Sequence, residues 1–469
     1  MKCEIKEEYN ICSPLENNSL QYVLSQIKEE NEKGLLHKLY QKYQTDYGDN
    51  GLSTNILLPY YCQESKTIRD LLLINNLDDS ERLANDHVKK MPNLKPFVLD
   101  SIISTTDNDH WLSQRRDIQP YFSVTTELSQ LIPKSCLRAK KGIQNLLDQY
   151  KVSNIININE FFLNETQAQL QLLLFGFSNE FQEKTNKKIR NMFTNQDLKY
   201  RKQIIPELLE ELKKSHGPLS DALNSRNQRN QKELIGNLLI FLFAGHDTTG
   251  NTLTWLVYEL CKNQNLQNEL IREVDAFWLE QGNRNIEYND FKRLPFMTNC
   301  IMETLRLWSP IPNGTFRELV EDDYIMGKNN QKVLVKKGTY IQIPNWSRHR
   351  DKKLWGDDSD IFNPYREFIG EENWDNSVIS SYNPSTERFS PFTYSPRDCI
   401  GKNFAQLEMR VILLHLFEKF RFSINQEQLD NSVEYNQFTL GPRIINKDDL
   451  KKINLGLNVN LHLRIASKL

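Results

Sequence analysis

The sequence predicts a mainly α-helical protein with a smaller β region, an α+β fold. Residues 128–150, 160–174 and 207–214 carry apolar side chains at the three- and four-residue spacing that places them on one face of a helix. The apolar stretch at 232–262 predicts a longer, buried helix. Residues 324–346 contain β-branched and aromatic residues punctuated by Gly and Asn, which is typical of strands and turns.

The first part of the chain is predicted to be almost entirely helical. Residues 1–35 are polar and are expected to form a partly ordered N-terminal arm. A region poor in Gly and Pro follows over 36–270, with a candidate strand near 54–58.

The C-terminal part is predicted to be more irregular. Residues 356–398 are rich in Gly, Asn, Ser and Pro and show no helical or strand period. A loop this long inside a compact domain is usually functional. A helix over 401–420 and strands such as 455–464 are expected to complete the fold.

The composition excludes several classes of protein. The chain has 39% hydrophobic and 26% charged residues, and 59 basic against 61 acidic side chains give a formal net charge of -2. This balance offers no bulk attraction to nucleic acid or to an anionic membrane. The most apolar stretches, 238–245 and 411–417, are shorter than the ~20 residues of a membrane span. We therefore expect a soluble, cytoplasmic protein without a transmembrane anchor, for which peripheral membrane contact stays open.

The cysteines do not follow a disulfide or zinc-binding pattern. Their number is odd and no two are at CxxC spacing, which favours a reducing compartment. They are Cys3, Cys12, Cys62, Cys136, Cys261, Cys300 and Cys399.

One of these cysteines lies in a pattern that predicts a reactive site. Cys399 ends the irregular stretch and directly precedes the predicted helix at 401–420. Amide groups at a helix N-terminus lower the pKa of a nearby thiol. Gly401 would let a flat cofactor approach the backbone, and Arg397 can pair with a cofactor carboxylate. For a lone cysteine the alternative is a buried structural role, and only the surrounding pattern favours a ligand.

This run resembles the haem-binding loop of the cytochrome P450 superfamily, whose pattern is F-x-x-G-x-R-x-C-x-G-x-x-x-A. Ser395 stands where the family has Gly, in a tight turn where Gly tolerates backbone angles that Ser does not. The resemblance implies haem b with Cys399 as the axial ligand of the iron. The matching positions are Phe392, Arg397, Cys399, Gly401 and Ala405.

A second motif resembles the distal-helix signature of the same family. Ala244, Gly245, Asp247 and Thr248 lie in the predicted helix at 232–262. The resemblance implies that Gly245 leaves room over the haem, that Thr248 holds dioxygen, and that Asp247 relays protons. In an isolated motif, the Thr hydroxyl would bond back to a helix carbonyl and the Asp would pair with a surface base.

A third motif implies a structural network behind the haem. Glu303 and Arg306 are three residues apart on one predicted helix face, where surface pairs of this kind are common. In the family, a later arginine joins this pair in a buried network. We expect Arg366 to be that arginine, since the alternative, Arg388, is only eleven residues before Cys399.

A fourth motif supplies candidate ligands for the haem propionates. Trp111 and Arg115 are four residues apart, so both donors leave one helix face, and both suit a carboxylate. A core Trp beside a solvated Arg is the alternative. Arg317 is a further candidate propionate ligand.

These motifs together imply the cytochrome P450 fold, with haem between a long distal helix and a proximal helix after the cysteine loop. One catalytic domain over 36–469 then replaces the two or three domains that length suggests. The implied substrate pocket is lined by residues 100–110, the residues before Ala244, residues 310–315 and the turn from Phe438 to Gly441.

The implied reaction is that of a monooxygenase. It inserts one atom of O2 into a small apolar substrate, a sterol, fatty acid or terpenoid, with electrons from NAD(P)H. The sequence has no G-x-G-x-x-G after a strand, so a separate flavoprotein reductase or ferredoxin is expected to supply the electrons. The alternatives are a haem-thiolate isomerase, dehydratase or peroxygenase, and a non-catalytic haem-binding sensor.

Overall fold

The computed structural model describes residues 11–48, 55–194, 198–372, 386–436, 439–445 and 453–464. The first half of these residues is helical around one β-hairpin. The helices before the longest one are α1 (Leu20–Glu32), α2 (Leu36–Tyr47), α3 (Leu77–Asp86), α4 (Lys95–Val98), α5 (Asn108–Ile118), α6 (Pro120–Ser123), α7 (Thr125–Tyr150), α8 (Ile158–Leu170), α9 (Asn179–Thr194), α10 (Leu198–Lys214) and α11 (Pro218–Ser225).

The second half contains the longest described helix and most of the strands. The remaining helices are α12 (Gln231–Lys262), α13 (Gln264–Gln281), α14 (Pro295–Leu307), α15 (Asn345–Arg348), α16 (Lys352–Trp355), α17 (Lys402–Lys419) and α18 (Gln426–Asp430). The strands are β1 (Ile56–Cys62), β2 (Thr67–Leu73), β3 (Ile155–Asn157), β4 (Thr315–Glu318), β5 (Asp323–Met326), β6 (Lys332–Val335), β7 (Tyr340–Ile343), β8 (Phe420–Ser423), β9 (Ser432–Asn436), β10 (Leu440–Ile445), β11 (Ile453–Leu455) and β12 (Asn458–Leu463).

The described strands form four small sheets beside the helices. Their orders are β1-β2-β7-β4, β11-β10-β9, β3-β12-β8 and β5-β6. In the first sheet β2 pairs in parallel with β7, and the other two pairings are antiparallel. Strand β10 pairs antiparallel with β9 and β11 and also contacts α12, so this sheet lies against the longest helix.

The main core lies between the long helices, and α12 is buried along most of its length. Asn230 caps α12, because its side-chain oxygen accepts a hydrogen bond from the amide of Glu233 at 3.0 Å. Two glycines let α8 approach α12 closely. A Cβ at Gly245 would lie 2.7 Å from Leu170, and one at Gly250 would lie 2.9 Å from Leu163. The backbone of α12 is thereby held against α8.

The predicted α+β class is confirmed, with strands in the C-terminal part of the chain. The helix predicted at 232–262 is α12, and the one predicted at 401–420 is α17. The predicted strand near 54–58 is β1, which runs further and pairs with the unpredicted β2. Strands β5, β6 and β7 occupy the stretch predicted at 324–346.

Two further predictions concern the limits of the domain and a possible membrane span. Helix α1 lies inside the predicted N-terminal arm and packs on α2, while the domain limits of 36–469 stay a prediction. Among the helices that the structure describes, none combines the length and the apolar character needed to cross a bilayer.

Candidate functional site

Cys399 is held by the backbone of the loop that precedes α17. Its amide donates a hydrogen bond to the carbonyl of Phe392 at 2.9 Å, which closes the loop on itself. Burial raises the pKa of the free thiol, and the hydrogen bond from the Gly401 amide opposes this effect. The helix N-terminus therefore acts as predicted, but it does not produce the lowered pKa expected from the sequence, because desolvation is the larger effect.

Cys399 is accessible to solvent, although the protein surrounds its thiol closely enough to desolvate it. Phe392, Arg397 and Asp398 are all inaccessible to solvent or nearly so. A thiol that is both accessible and desolvated indicates that it lies in a recess of the protein. Beside it, a Cβ at Gly401 would meet only Phe122, at 3.8 Å, so the protein leaves open space next to the backbone there.

The middle of α12 is a second place where accessible residues lie between buried ones. Residues 243–245, 247 and 248 are partly exposed, whereas 236–242 and 249–257 are buried. The ring of Phe122 connects this helix to the cysteine loop, because it stacks on Phe241 of α12 at 5.6 Å. We therefore place the open surfaces of α12 and of the Cys399 loop around one cavity.

Three buried cations lie close together near the cysteine loop. Burial and the neighbouring Arg317 and Arg115 lower the pKa of Arg397 to about 9. Burial lowers the pKa of Arg317 to about 10. Burial, followed by Arg317 and Arg397, holds the pKa of Lys90 well below its ordinary value. We call Lys90, Arg317 and Arg397 the cation cluster.

The described chain provides no acid that pairs with the cation cluster. Arg397 donates to the carbonyl of Thr105 at 3.0 Å and to the side chain of Asn108 at 2.9 Å, and its buried Nε has no partner. Arg317 reaches backbone carbonyls alone, such as that of Tyr394 at 3.4 Å. Buried cations without an anion are costly, so this donor set fits a ligand that carries carboxylates.

Trp111 and Arg115, which were predicted as propionate ligands, both contact the cysteine loop, but in different ways. The guanidinium of Arg397 lies over the Trp111 ring at 4.6 Å. Arg115 pairs with Asp398, with Nη2 at 2.6 Å from Oδ1, and also donates to the Asp398 carbonyl. Its charge is thus already paired with the protein, and its observed contact is with the loop. Neither Lys90 nor Asp398 was identified from the sequence, because Lys90 lies outside the motifs and Asp398 occupies a variable position between Arg397 and Cys399.

Two polar residues lie on the partly exposed part of α12. The Thr248 hydroxyl donates to the carbonyl of Ala244 at 2.9 Å. The carboxylate of Asp247 accepts a hydrogen bond from Thr439 rather than pairing with a Lys or Arg of the described residues. His246, the residue before Asp247, is buried, its Nδ1 contacts the Leu242 carbonyl at 2.6 Å, and burial lowers its pKa. In the described ranges, no group of three or more His, Cys, Asp or Glu side chains could hold a metal ion.

Gly245 has a packing neighbour that the sequence did not indicate, while its expected role beside a cofactor stays a prediction. The resemblance implied that its missing side chain keeps space open over a cofactor. In the structure, the position of its Cβ points at Leu170 of α8, at 2.7 Å. The glycine is therefore required for the packing of α8 against α12.

The expected effect of Ser395 needs a correction. The family pattern places a Gly there, but Ser395 does not adopt a positive φ. Thr393, two residues earlier, has a φ of 64° and takes the left-handed conformation in this loop. The turn is therefore made at a different residue from the one that the pattern indicated.

The buried network around Glu303 contains one of the two candidate arginines. Arg306 contacts both carboxylate oxygens of Glu303 at 2.7 Å, and Arg366 Nε lies 3.2 Å from Glu303 Oε1. Arg388 pairs instead with the buried Glu372, at 2.5 Å. Glu303 and Arg306 are both completely buried, so this is not a surface pair. We call Glu303, Arg306 and Arg366 the Glu303 network.

Comparison with known proteins gives one family. Residues 71–446 match the family model described as Cytochrome P450. The human Cytochrome P450 4F8 is 25% identical over 398 residues, which are 74% of this chain and 73% of that protein.

Other relatives match over shorter stretches. The Probable cytochrome P450 525A1 of Dictyostelium discoideum is 32% identical over 45% of this chain, and the Putative cytochrome P450 CYP13A5 of Caenorhabditis elegans is 30% identical over 42% of it. These two alignments span 35% and 34% of the relatives' own lengths.

Proposed function

This chain belongs to the cytochrome P450 family, whose members bind haem b, and on that premise we propose that it is a haem-thiolate monooxygenase. The single observation that carries the proposal is the exposed thiol of Cys399 inside the fold, beside a cation cluster that lacks an anion. The thiol suits an iron, and the cations suit the propionates of a haem.

We assign the binding of the cofactor to residues of both cavity walls. Cys399 would hold the iron through its sulfur, and the Gly401 amide together with Lys402 and Arg115 would favour the thiolate. The cation cluster would pair with the propionates, and the Trp111 ring holds Arg397 in place for this contact. When bound, haem with a thiolate ligand supplies the activation of dioxygen.

The α12 residues would supply the proton chemistry. Thr248 and Asp247 lie next to each other on the open part of the helix, and the backbone of Ala244 holds the Thr248 hydroxyl. Because a hydroxyl both donates and accepts, Thr248 Oγ1 can pass on a proton received from the Asp247 carboxyl group.

The Glu303 network would position the cysteine loop from behind. Arg306 donates to the carbonyls of His349 and Ser359, at 2.5 and 2.6 Å. His349 in turn accepts a hydrogen bond from the amide of Ser390, nine residues before Cys399. These contacts connect α14 to the start of the loop and restrict its movement.

The finer parts of the function are also proposals. A flavoprotein reductase or a ferredoxin would deliver two electrons from NAD(P)H, and the substrate would be a sterol, fatty acid or terpenoid. Phe438, expected to line the pocket, lies outside the described residues, while Thr439 and Gly441 of the same turn contact α12.

The deciding experiment is the difference spectrum of the reduced protein with carbon monoxide. A thiolate ligand gives a strongly red-shifted Soret band, which Cys399→Ser should abolish. Cys136→Ser, on α7, is the matched control and should keep the band. A histidine-type band in the unaltered protein would overturn the proposal. Consumption of O2 and NAD(P)H in the presence of a spin-shifting sterol, fatty acid or terpenoid would then separate a monooxygenase from an isomerase or a sensor.

A further inference from the structure

A chain of buried hydrogen bonds ends on Asp247. Asn159 Nδ2 lies 2.9 Å from Asn251 Oδ1, and Asn251 Nδ2 lies 2.9 Å from Thr439 Oγ1. The Thr439 hydroxyl then contacts Asp247 Oδ2. Three separate elements, α8, α12 and the start of β10, meet in this chain.

The Thr254 hydroxyl, at the opposite end of the chain from Asp247, determines which group donates in each of these hydrogen bonds. The Thr254 hydroxyl donates to the carbonyl of Gly250 at 2.7 Å, so its oxygen accepts from Asn159 Nδ2 at 3.1 Å. This sets the orientation of the Asn159 amide group and, in turn, that of Asn251. Asn251 therefore donates to Thr439, and the hydroxyl proton of Thr439 is left to point at Asp247.

The start of β10 and the residue before it contact α12 at three consecutive positions. Besides the Thr439 hydroxyl, the Leu440 carbonyl accepts a hydrogen bond from Trp255 Nε1 at 3.0 Å. A Cβ at Gly441 would lie 2.7 Å from Asn251 Oδ1, so this position has room for Gly alone. The position of Thr439 relative to α12 is thus determined by the backbone on both sides of it.

Asp247 also interacts electrostatically with a residue of the same strand, Arg443. Burial lowers the pKa of Arg443, on β10, to about 10, and Asp247 is the first charge that opposes this effect. Asp247 is thus held on the β10 side of α12 by one directed hydrogen bond from Thr439 and by the field of a buried arginine.

We propose that Thr439 is a positioning residue for proton delivery: oriented by Asn251, its hydroxyl holds the Asp247 carboxylate and so controls its approach to Thr248. The inference rests on the proposed monooxygenase function. It adds Thr439, the residue directly before β10, to the machinery of α12.

The test compares Thr439→Val, which removes the hydroxyl at nearly constant volume, with Thr439→Ser, which keeps it. The first readout is the infrared carboxylate band of Asp247 in the haem-loaded protein, assigned by subtracting the spectrum of Asp247→Asn. We expect the band to shift in Thr439→Val and to stay in place in Thr439→Ser. The second readout is the peroxide released per NAD(P)H with a spin-shifting substrate, expected to rise about tenfold in Thr439→Val, the value of one charge-assisted hydrogen bond.

Thr185→Val on α9 is the matched control, because the Thr185 hydroxyl is buried and donates only to the carbonyl of Phe181. It should leave both readouts unchanged. An unshifted band in Thr439→Val, or an equal shift in Thr439→Ser, would overturn the inference. The proposed function fails separately, if the unaltered protein has no thiolate-type carbon monoxide spectrum.

Discussion

Two groups of buried cations are connected to the cysteine loop, one through Arg397 in the loop and the other through His349 and Ser390, and they differ in whether the protein supplies their anions. In the Glu303 network, Arg306 and Arg366 share the carboxylate of Glu303, and Arg366 also pairs with Asp358. In the cation cluster no described acid forms an ion pair, and burial lowers the pKa of Lys90, Arg317 and Arg397 alike.

The difference shows what each group does. A buried pair that is complete within the chain contributes to a defined structure, and removal of one partner leaves a charge without compensation. A buried cation without an anion destabilises the ligand-free protein. Binding of an anionic ligand removes this cost, and the folded state is then stabilised by the ligand. The same residue types therefore indicate support in one place and a binding site in the other.

The largest effect is expected from breaking the complete group. Glu303→Gln leaves Arg306 buried and without its carboxylate, which should lower the free energy of unfolding by about 3–5 kcal/mol. Urea titration of the haem-loaded protein measures this change. Glu280→Gln, which removes an exposed partner of Arg293, is the control and should cost less than about 1 kcal/mol. Equal losses for the two variants would show that the Glu303 network does not differ from a surface pair.

Another buried ion pair, Glu165 with Arg138, predicts that the stability of the protein depends on pH. Glu165 contacts Arg138 at 2.8 Å, yet burial raises its pKa from 4.5 to about 7. The folded chain therefore holds this proton more tightly than the unfolded chain. The stabilisation is complete below pH 4.5 and is lost as the pH rises through 7, by about 3 kcal/mol at 1.36 kcal/mol per pH unit.

The measurement is the free energy of unfolding at pH 5 and at pH 8, for the unaltered protein and for Glu165→Gln. The difference should be smaller in the variant by about 3 kcal/mol, because its amide does not titrate. If the two proteins keep the same pH dependence, the carboxyl group of Glu165 is already ionised at pH 5.

In the cation cluster, unlike in the Glu303 network, the loss of a charge should not lower the stability of the haem-free protein. Arg397→Gln removes a buried, unpaired cation, so the haem-free chain should be at least as stable as the unaltered one. Haem binding should weaken about tenfold or more, because one charge-assisted hydrogen bond to a propionate is lost. Haem titration and thermal unfolding of the apoprotein test both parts. Arg388→Gln, which breaks a complete pair with Glu372, should show the reverse pattern.

The smallest effects are expected in the loop that precedes Cys399. Thr393 has a φ of 64°, which a β-branched residue adopts at a cost, so Thr393→Gly should stabilise the protein by roughly 1 kcal/mol. Ser395→Gly relieves no such conformation and should cost up to roughly 1 kcal/mol through the entropy of the unfolded chain. Thermal melts of the two variants should shift in opposite directions, and a stabilising Ser395→Gly would contradict this account of the loop.

Local patterns were enough for part of the site. Glu303 and Arg306 contact each other because residues three apart on a helix share a face, and Thr248 bonds back to Ala244 because four residues make one turn. The cysteine loop and α12 were likewise predicted from residues that are close in sequence. Spacing alone determines such contacts, so the sequence shows them directly.

Other contacts join residues that are far apart in the chain, and no local pattern predicted them. Arg115 and Asp398 are separated by 283 positions, and Asp247 and Thr439 by 192. The same is true of Lys90, whose only signal is its burial beside two arginines. Gly245 belongs to a recognised motif, but the neighbour that requires it, Leu170, lies on another helix.

The sequence by itself determined the fold class, the family and the residue types that carry the chemistry, because helix periods and loop motifs are properties of neighbouring residues. The tertiary structure decided which buried charges are paired and which are left for a ligand. That distinction depends on distance and desolvation, and both arise only when separate elements pack together. Arg397 and Arg306 are the same amino acid, and only their surroundings in the fold make one a candidate ligand for a cofactor and the other a support for the cysteine loop.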